Sequence, residues 1–277
     1  MFYAVITIPI DPVFHVGPIP LHWYGVGYAV AFLVALGFAE RHVARRGIDR
    51  DQAASLAFWT IVFGLIGARL YFDVQSGALY YLTHPQYILA AWQGGMAFFG
   101  AIFFSLGTLL FLSWRRKLDY WVLFDAGAIF AGVGQPIGRI GNLINGDILG
   151  PVSNLPWATR YTNPHTLAPL LGVAYQPAAA YEALCTLLIL AILLLLRRRG
   201  VPAGALGLTY LALYPISQFG IFFLRATEPM LWLGLKQAQW TSIGVFVVGL
   251  PLAILAWWYT RRRRARQEPA PAGLTPI

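Results

Sequence analysis

Long apolar stretches separated by short polar segments dominate this chain. Seven of them approach the roughly 20 residues that a helix needs to cross a bilayer. Each is too long for the alternating strand of about ten residues that builds a membrane barrel. The pattern therefore predicts an all-α integral membrane protein with seven transmembrane helices, at residues 23–39, 53–72, 94–114, 121–137, 177–196, 205–224 and 239–259.

Basic residues cluster after the first, third, fifth and seventh of these spans. With seven helices, every cluster falls on the same side of the membrane, and such clusters mark the cytoplasmic side. We therefore expect the N-terminus outside and the C-terminus inside. The clusters are Arg41, Arg45, Arg46 and Arg50; Arg115, Arg116 and Lys117; Arg197, Arg198 and Arg199; and Arg261, Arg262, Arg263, Arg264 and Arg266.

The composition agrees with a membrane protein and excludes several other classes. The 277 residues are 58% hydrophobic and 11% charged, with a mean hydropathy of +0.62, which no soluble domain matches. The net charge of +9 reflects topology and contact with anionic lipid, so we expect no nucleic-acid partner. A single cysteine excludes a disulfide framework and a cysteine metal site. We expect no metal and no cofactor.

The spans divide the chain into three regions. Residues 1–22 are expected to form an external N-terminal arm, irregular because prolines interrupt it. Residues 23–260 form the seven-helix membrane domain, and residues 261–277 form a basic and then disordered cytoplasmic tail. The external loops of the membrane domain are expected at residues 73–93, 138–176 and 225–238.

The segment GRIGNLINGDILG, Gly138 to Gly150, carries the strongest chemical signal. Arg139 directly follows the apolar run of the fourth span. A guanidinium at mid-bilayer costs roughly 2.5 kcal/mol or more, so it normally faces an interior and serves a function. Asn142, Asn145 and Asp147 follow as candidate partners. An arginine, amides and a carboxylate at the edge of a bilayer suggest a binding site for a phosphorylated lipid headgroup.

Other basic residues outside the cytoplasmic clusters extend this hypothesis. Arg69 has Asp73 one turn later, so a local ion pair is an alternative to a lipid contact. Arg225 has no such partner nearby in sequence, whereas Arg160 and Lys236 are expected to be solvated loop residues. Arginine binds phosphate through a bidentate fork. Two or three arginines meeting at the outer leaflet would make a phosphate pocket.

Polar residues in the fifth and sixth spans are further candidates. Tyr214, Gln218 and Arg225 are spaced by four and seven residues, which would place them on one helical face. Glu182 follows Pro177 near the outer end of the fifth span. It is either a functional carboxylate or a partner for one of the arginines. Transport is disfavoured, because these groups lie at one membrane face rather than along a path through the midplane.

The Gly138–Gly150 segment resembles the signature of the prolipoprotein diacylglyceryl transferase family, G-R-x-G-N-F-x-N-x-E-x-x-G. Leu143 replaces phenylalanine and Asp147 replaces glutamate. DPVFHVGPIPLHWYG (11–25), GARLYF (67–72) and WQGGMAF (92–98) also resemble family segments. The resemblance covers most of residues 11–260. It implies a bacterial plasma (inner) membrane enzyme with the predicted topology.

Several positions depart from the family pattern. Phe99 stands where the family has a histidine, Gln218 where it has an arginine, and Phe222 where it has a glutamate. The segment before the fifth span, Gln176 to Glu182, keeps only part of the family sequence. Compared with the family pattern, the residues expected to bind lipid are therefore retained more often than those expected to transfer a proton.

The resemblance implies the transfer of a diacylglyceryl group from phosphatidylglycerol to the thiol of a lipobox cysteine in a prolipoprotein signal peptide. Two questions stay open on the sequence. Asp147 is either the general base or the counter-ion of Arg139, and the protein is either a transferase or a non-catalytic lipid- or lipoprotein-binding paralogue. The catalytic residues are predicted to be Arg139, Asp147, Tyr24 and Tyr214, and the lipid-binding residues Arg139, Asn142, Asn145, Arg69, Arg225 and Glu182.

Overall fold

A computed structural model describes residues 5–88, 95–226 and 230–267, with residues 98, 99 and 264–267 described by their backbone alone. Each predicted span overlaps a helix, and the seventh is shared by two helices that follow one another through a π-helical segment, Val245–Gly249. The helices are α1 (Trp23–Ala44), α2 (Arg50–Thr83), α3 (Phe98–Arg115), α4 (Tyr120–Asn145), α5 (Ala178–Arg198), α6 (Ala205–Ile221), α7 (Gln237–Gly244) and α8 (Leu250–Gln267).

Within the described ranges, four helical stretches are long and apolar enough to cross a membrane. They are α1, α2, α5 and the continuous stretch Gln237–Arg263. Two more, Gly100–Arg115 and α6, are apolar but shorter. Helix α4 is not among the four, and Asp125, Gln135 and Arg139 interrupt its apolar sequence. The helical content and these apolar helices agree with an all-α membrane protein.

The N-terminal arm is not irregular, contrary to our expectation. Strands β2 (Val13–Val16) and β3 (Ile19–His22) form an antiparallel hairpin. Gly17, with a φ of +60°, lies in the turn between them. Pro20 is tolerated in β3 because each strand of a two-stranded hairpin has a free edge, where a missing N–H costs little.

A second small sheet joins the arm to the segment that follows α4. Its strands are β1 (Ile6–Ile8), β4 (Thr159–Tyr161) and β5 (Ala174–Tyr175), in the order β1-β4-β5. Strand β1 pairs with β4 in parallel, and β4 pairs with β5 antiparallel. The arm is thus fixed to a segment about 150 residues later in the chain, with Ile6 opposite Thr159.

Two further contacts hold this sheet to its surroundings. Tyr161 is 1% exposed, and its hydroxyl donates to the Leu143 carbonyl at 2.8 Å. Burial raises the pKa of Tyr161 to about 12, so the donor stays protonated at neutral pH. The His165 ring lies 2.9 Å from the Asp11 carboxylate. The pKa of Asp11 is lowered by a hydrogen bond from the Val13 N–H and, next, by His165.

Two predicted loops begin later than expected, because the helices continue past the apolar runs. Helix α4 extends to Asn145, where Gly146 adopts a φ of +75° and ends it. Arg139, Asn142 and Asn145 therefore lie on the last turns of a helix rather than in a loop. Helix α2 continues to Thr83, past a non-helical residue at Gly77. Parts of the predicted loops (residues 89–94 and 227–229) and of the tail (268–277) lie outside the described residues.

The chain divides into two compact units, and the smaller one is Ala39–Ala126. Its α2 and α3 pack closely through glycines. A Cβ on Gly67 would collide with the Phe104 ring, and one on Gly100 would collide with the Gly67 carbonyl. Small residues at such contacts let membrane helices approach through their backbones.

The larger unit comprises Met1–Phe38 and Gly127–Ile277. Its core contains Ile129 of α4, Leu193 of α5 and Leu206 of α6, each fully buried. The first turns of α1 pack on the end of α4 at a glycine contact. A Cβ on Gly141 would lie 3.2 Å from the Tyr24 Cα. This contact sets the distance between the start of α1 and the helix that carries Arg139.

We expect Gly141→Ala to destabilise the protein by about 1–3 kcal/mol, because the added methyl group overpacks the contact with Tyr24. Gly127→Ala is the matched control on the same helix, where a Cβ meets nothing within 4 Å. Thermal unfolding in detergent should show a lower midpoint for the first variant only. Equal midpoints for the two variants would contradict this account of the packing.

Candidate active site

A buried carboxylate lies between two guanidinium groups in the larger unit. Glu182, in the second turn of α5, is 1% exposed. Its Oε1 accepts a hydrogen bond from Arg225 Nε at 2.8 Å. Its Oε2 lies 2.7 Å from Arg139 Nε. Glu182 is therefore the arginine partner that one of the two alternatives described, and it pairs with both arginines.

The two halves of this arrangement differ in geometry. The Arg225–Glu182 contact is a hydrogen-bonded ion pair, whereas Glu182 Oε2 has no aligned hydrogen bond in the described residues despite its closeness to Arg139. The side chain of Arg139 is 19% exposed and that of Arg225 is 11% exposed. Within this trio, two guanidiniums share one carboxylate. Arg139 is the more accessible of the two cations, so it is the better placed to contact an anionic ligand.

Asn142 links Arg139 to Asp147. Its Oδ1 accepts from Arg139 Nη1 at 3.0 Å, and its Nδ2 donates to the two Asp147 carboxylate oxygens at 3.1 and 3.0 Å. Asn142 is buried and Asp147 half-buried. The direct carboxylate partner of Arg139 is thus Glu182, and Asp147 reaches the guanidinium only through an amide. This geometry weakens the alternative in which Asp147 is the counter-ion.

Two pairs of tyrosines contact polar residues of α4. Tyr24 packs on Tyr28 with ring centroids 4.6 Å apart, and the Tyr28 hydroxyl lies 3.4 Å from Asn142 Oδ1. Tyr214 stacks on Tyr210, with ring centroids 5.2 Å apart. Of the two predicted tyrosines, Tyr24 is therefore linked to Asn142 through Tyr28, whereas a contact of Tyr214 with the lipid stays a prediction.

The end of the glycine-rich segment contacts the turn that carries Arg225. A Cβ on Gly150 would lie 2.7 Å from the Leu224 carbonyl, and the Ala226 N–H donates to the Leu149 carbonyl at 3.2 Å. Arg225 itself follows the end of α6 at Ile221, so it does not share a helical face with Tyr214 and Gln218 as we expected. A turn, not a helix, directs Arg225 to Glu182.

Asn145 differs from Asn142 in what it contacts. Its backbone carbonyl accepts from Thr166 Oγ1 and from the Leu167 N–H, both at 2.9 Å. Its side chain is buried, and a lipid contact for it stays a prediction. The measured contacts of Asn145 fix the segment after α4 to the end of that helix.

Arg69 lies in the smaller unit, where its guanidinium binds backbone carbonyls. It donates to Tyr87 O at 2.6 Å, Ile88 O at 2.9 Å and Gly95 O at 3.1 Å. The local ion pair with Asp73 is also present, at 3.2 Å. These contacts describe a residue that fixes both ends of the segment between Ile88 and Gly95. A lipid-binding role for Arg69 stays a prediction.

Lys236 is not a solvated loop residue, contrary to our expectation, because it is only 6% exposed. Its ammonium group donates to the backbone carbonyls of Phe222 and Arg225, which follow the end of α6. Arg160 is half-buried on β4. The side chain of Phe99, which replaces the family's histidine, lies outside the described part of the chain. The described residues contain no group of three His, Cys, Asp or Glu side chains that could hold a metal ion.

Sequence reasoning missed several residues of this site. Tyr28, Gln135 and Tyr210 each lie one helical turn from a predicted residue, namely Tyr24, Arg139 and Tyr214. The Tyr210 hydroxyl donates to Gln135 Oε1 at 2.8 Å. Polar side chains four residues from a predicted one share its helical face, and that spacing is the signal that could have found them.

An apolar hollow of about 440 Å³ lies where the N-terminal arm meets the start of α5. Strands β1 and β4 and the first turns of α5 form its walls, and Leu143, one turn beyond Arg139, also lines it. Its interior is almost entirely apolar, so it can accommodate aliphatic groups. The remaining lining residues are Ile6, Ile8, Trp157, Thr159, Pro177, Ala180, Tyr181 and Leu184.

We expect Glu182→Gln to destabilise the protein by about 3 kcal/mol, because two largely buried guanidiniums would lose their shared counter-charge. The matched control is Glu40→Gln on α1, which lies outside this network. Thermal unfolding of both variants in detergent checks the difference. A Glu182→Gln variant as stable as the control would show that the shared carboxylate does not hold the site together.

Comparisons with known proteins identify the family of this chain. A family model described as prolipoprotein diacylglyceryl transferase matches residues 11–266. A relative from Geobacter sulfurreducens is 33% identical over 255 residues, which cover 89% of this chain and 95% of that protein. A Frankia alni relative is 36% identical over 261 residues, which cover 92% of this chain and 68% of that protein.

A third relative, from Halalkalibacterium halodurans, is 32% identical over 264 residues, which cover 94% of this chain and 90% of that protein. All three relatives are named phosphatidylglycerol–prolipoprotein diacylglyceryl transferase. The match extends from the N-terminal arm to the end of the last helix, and it includes every element that forms the arginine network. The chain belongs to the prolipoprotein diacylglyceryl transferase family.

Proposed function

We propose that this protein transfers a diacylglyceryl group from phosphatidylglycerol to the thiol of a lipobox cysteine in a prolipoprotein signal peptide. The observation that carries the proposal is the Arg139–Glu182–Arg225 network, in which two guanidiniums share one carboxylate and the partly exposed Arg139 also binds Asn142. A phosphodiester headgroup supplies the anion that such a network attracts. Membership in the family and the names of the relatives support the same activity.

The protein crosses the bacterial inner membrane seven times, with its N-terminus outside and its C-terminus in the cytoplasm. The positions of the network and of the basic clusters support this topology. Glu182 lies near the start of α5, and the Arg197–Arg199 cluster lies at the other end of that helix. Likewise, Tyr24 starts α1 and a basic cluster follows its end. The site therefore faces the extracytoplasmic side, where prolipoprotein signal peptides emerge.

The reaction forms one bond and breaks one bond at a glyceryl carbon. The cysteine thiol loses its proton, and the thiolate attacks the carbon that carries the phosphoester oxygen. A sulfur–carbon bond forms while the carbon–oxygen bond breaks, and glycerol phosphate leaves with the electron pair. Arg139 and Arg225 stabilise the negative charge that develops on the departing phosphate. Tyr24 and Tyr214 orient the lipid between them, and Asn142 holds Arg139 toward the headgroup.

Asp147 is the general base in this proposal. Glu182 is too enclosed to receive a proton from a substrate thiol, since it is 1% exposed and lies between two arginines. Asp147 is half-buried at the end of the site, and its carboxylate is oriented by the Asn142 amide. It stands where the family signature has a glutamate, so a carboxylate is retained at that position.

We expect Arg139→Gln to lower the rate of transfer about a hundredfold to a thousandfold, because one preorganised charge at the leaving group is lost. The assay follows labelled phosphatidylglycerol into a lipobox peptide in proteoliposomes. Arg199→Gln, an exposed arginine at the other end of α5, is the control and should keep the wild-type rate. Unchanged transfer by Arg139→Gln would refute the proposal.

The same assay tests the alternative of a non-catalytic paralogue. The substitution at Phe99 favours that alternative, because it removes the family's histidine. No transfer by the wild-type protein, together with retained binding of phosphatidylglycerol, would establish it.

We expect Asp147→Asn to lower kcat about a hundredfold or more, because the acceptor for the thiol proton is lost. The KM for phosphatidylglycerol should change little. Asp147→Glu, which places the family's residue at the position, is the control and should retain most of the activity. An Asp147→Asn variant with the wild-type kcat would show that another group takes the proton.

A further inference from the structure

Three carbonyl groups near the C-terminal end of α6 are bound by side chains from the start of α7. The last carbonyls of a helix have no partner within the helix, and they carry its negative dipole end. Here Phe219 O accepts from Gln239 Nε2 at 3.1 Å, and Phe222 O accepts from Lys236 Nζ at 2.7 Å. The same ammonium group also donates to Arg225 O.

The two donors form one buried unit. Gln239 is 1% exposed and Lys236 is 6% exposed. The Lys236 backbone N–H donates to Gln239 Oε1 at 2.9 Å, which fixes the amide so that its Nε2 points to α6. A buried ammonium is costly unless charge-assisted hydrogen bonds compensate for its lost hydration. The hydrogen bonds of the Lys236 ammonium group therefore fix the backbone of the turn that follows α6.

The turn held by Lys236 is the one that directs Arg225 to Glu182. Arg225 lies in the turn that follows α6, four residues beyond Ile221. Lys236 binds the carbonyl of Arg225 itself, while Ala226 N–H binds Leu149 O from the other side. The guanidinium of Arg225 lies over the Phe222 ring, at 4.4 Å from its centroid, and Lys236 also binds the Phe222 carbonyl.

We propose that Lys236 is a positioning residue that sets the Arg225 guanidinium on Glu182 and, through Glu182, orients Arg139 for the phosphate of the lipid donor. The proposal rests on the proposed function. Lys236 touches no reacting group in it. Its ammonium acts through the Arg225 backbone, and a displacement there moves two guanidiniums, because they share one carboxylate.

A double-mutant cycle with Arg225 tests this role. We expect Lys236→Met, which keeps the length of the side chain but removes its donors, to lower kcat per folded molecule about tenfold to a hundredfold. In a protein that already carries Arg225→Gln, Lys236→Met should lower kcat almost no further, because the effects of substitutions at residues that act through one another do not add. Lys236→Arg should recover most of the loss. Lys117→Met, on an exposed turn of the smaller unit, is the matched control.

The cycle is also measured on the dissociation constant for phosphatidylglycerol in vesicles and on thermal unfolding. A purely structural lysine would lower the unfolding midpoint and leave kcat per folded molecule unchanged, which would overturn the proposal. Additive effects of the two substitutions on kcat and on binding would overturn it as well. If Lys236→Met does not fold, Lys236→Gln, which keeps a shorter donor, replaces it in the cycle.

The binding measurement separates this proposal from the proposed function. If the wild-type protein binds phosphatidylglycerol but does not transfer its diacylglyceryl group, the proposed transferase activity is refuted. The double-mutant cycle measured on the dissociation constant would still decide the role of Lys236. Non-additive losses in binding would then support the positioning role without any turnover.

Discussion

The structure of the site depends on one carboxylate shared by two guanidiniums. Glu182 is almost completely buried, so neither its charge nor those of Arg139 and Arg225 is compensated well by water. Each of the three is tolerated because the other two are present. This requirement brings α4, α5 and the turn after α6 to one point. In the proposed function, the same contacts that stabilise the site also hold Arg139 and Arg225 for the lipid phosphate.

The glycine-rich segment supplies both the chemistry and the space for it. Arg139 and Asn142 project from the last turns of α4, whereas Gly141 lets the Tyr24 backbone approach the same helix. Gly146 ends the helix, and Gly150 allows the Leu224 carbonyl to come close, next to Arg225. The polar side chains and the glycines therefore depend on each other. A larger residue at Gly141 or Gly150 would displace the backbone near Tyr24 or Arg225.

The sequence allowed prediction of the helices and of several polar residues that the structure brings together, for a physical reason. An arginine at the end of a long apolar run costs free energy in a bilayer unless it faces a protein interior and has a polar partner. Arg139 and Arg225 could therefore be recognised from the sequence. What the sequence left open or missed depends on contacts between residues distant in the chain. Glu182 was one candidate partner for an arginine, but it lies 43 residues from Arg225, and no local rule shows that it pairs with both Arg225 and Arg139. The burial of Lys236 arises only because α7 packs on α6. Helix α4 continues beyond its apolar run because backbone hydrogen bonding, not hydropathy, decides where a helix ends.

The pairing of β1 with β4 has a consequence for how the protein is made. The ribosome releases the arm first, yet its partner strand emerges only after α4 has been synthesised. The arm can therefore complete this sheet only after α1 to α4 have been made. Arg139 emerges next, then Glu182, and Arg225 last. The carboxylate can meet its second cation only after α6 has been made, so a nascent chain that stops before α6 would carry an incomplete charge cluster.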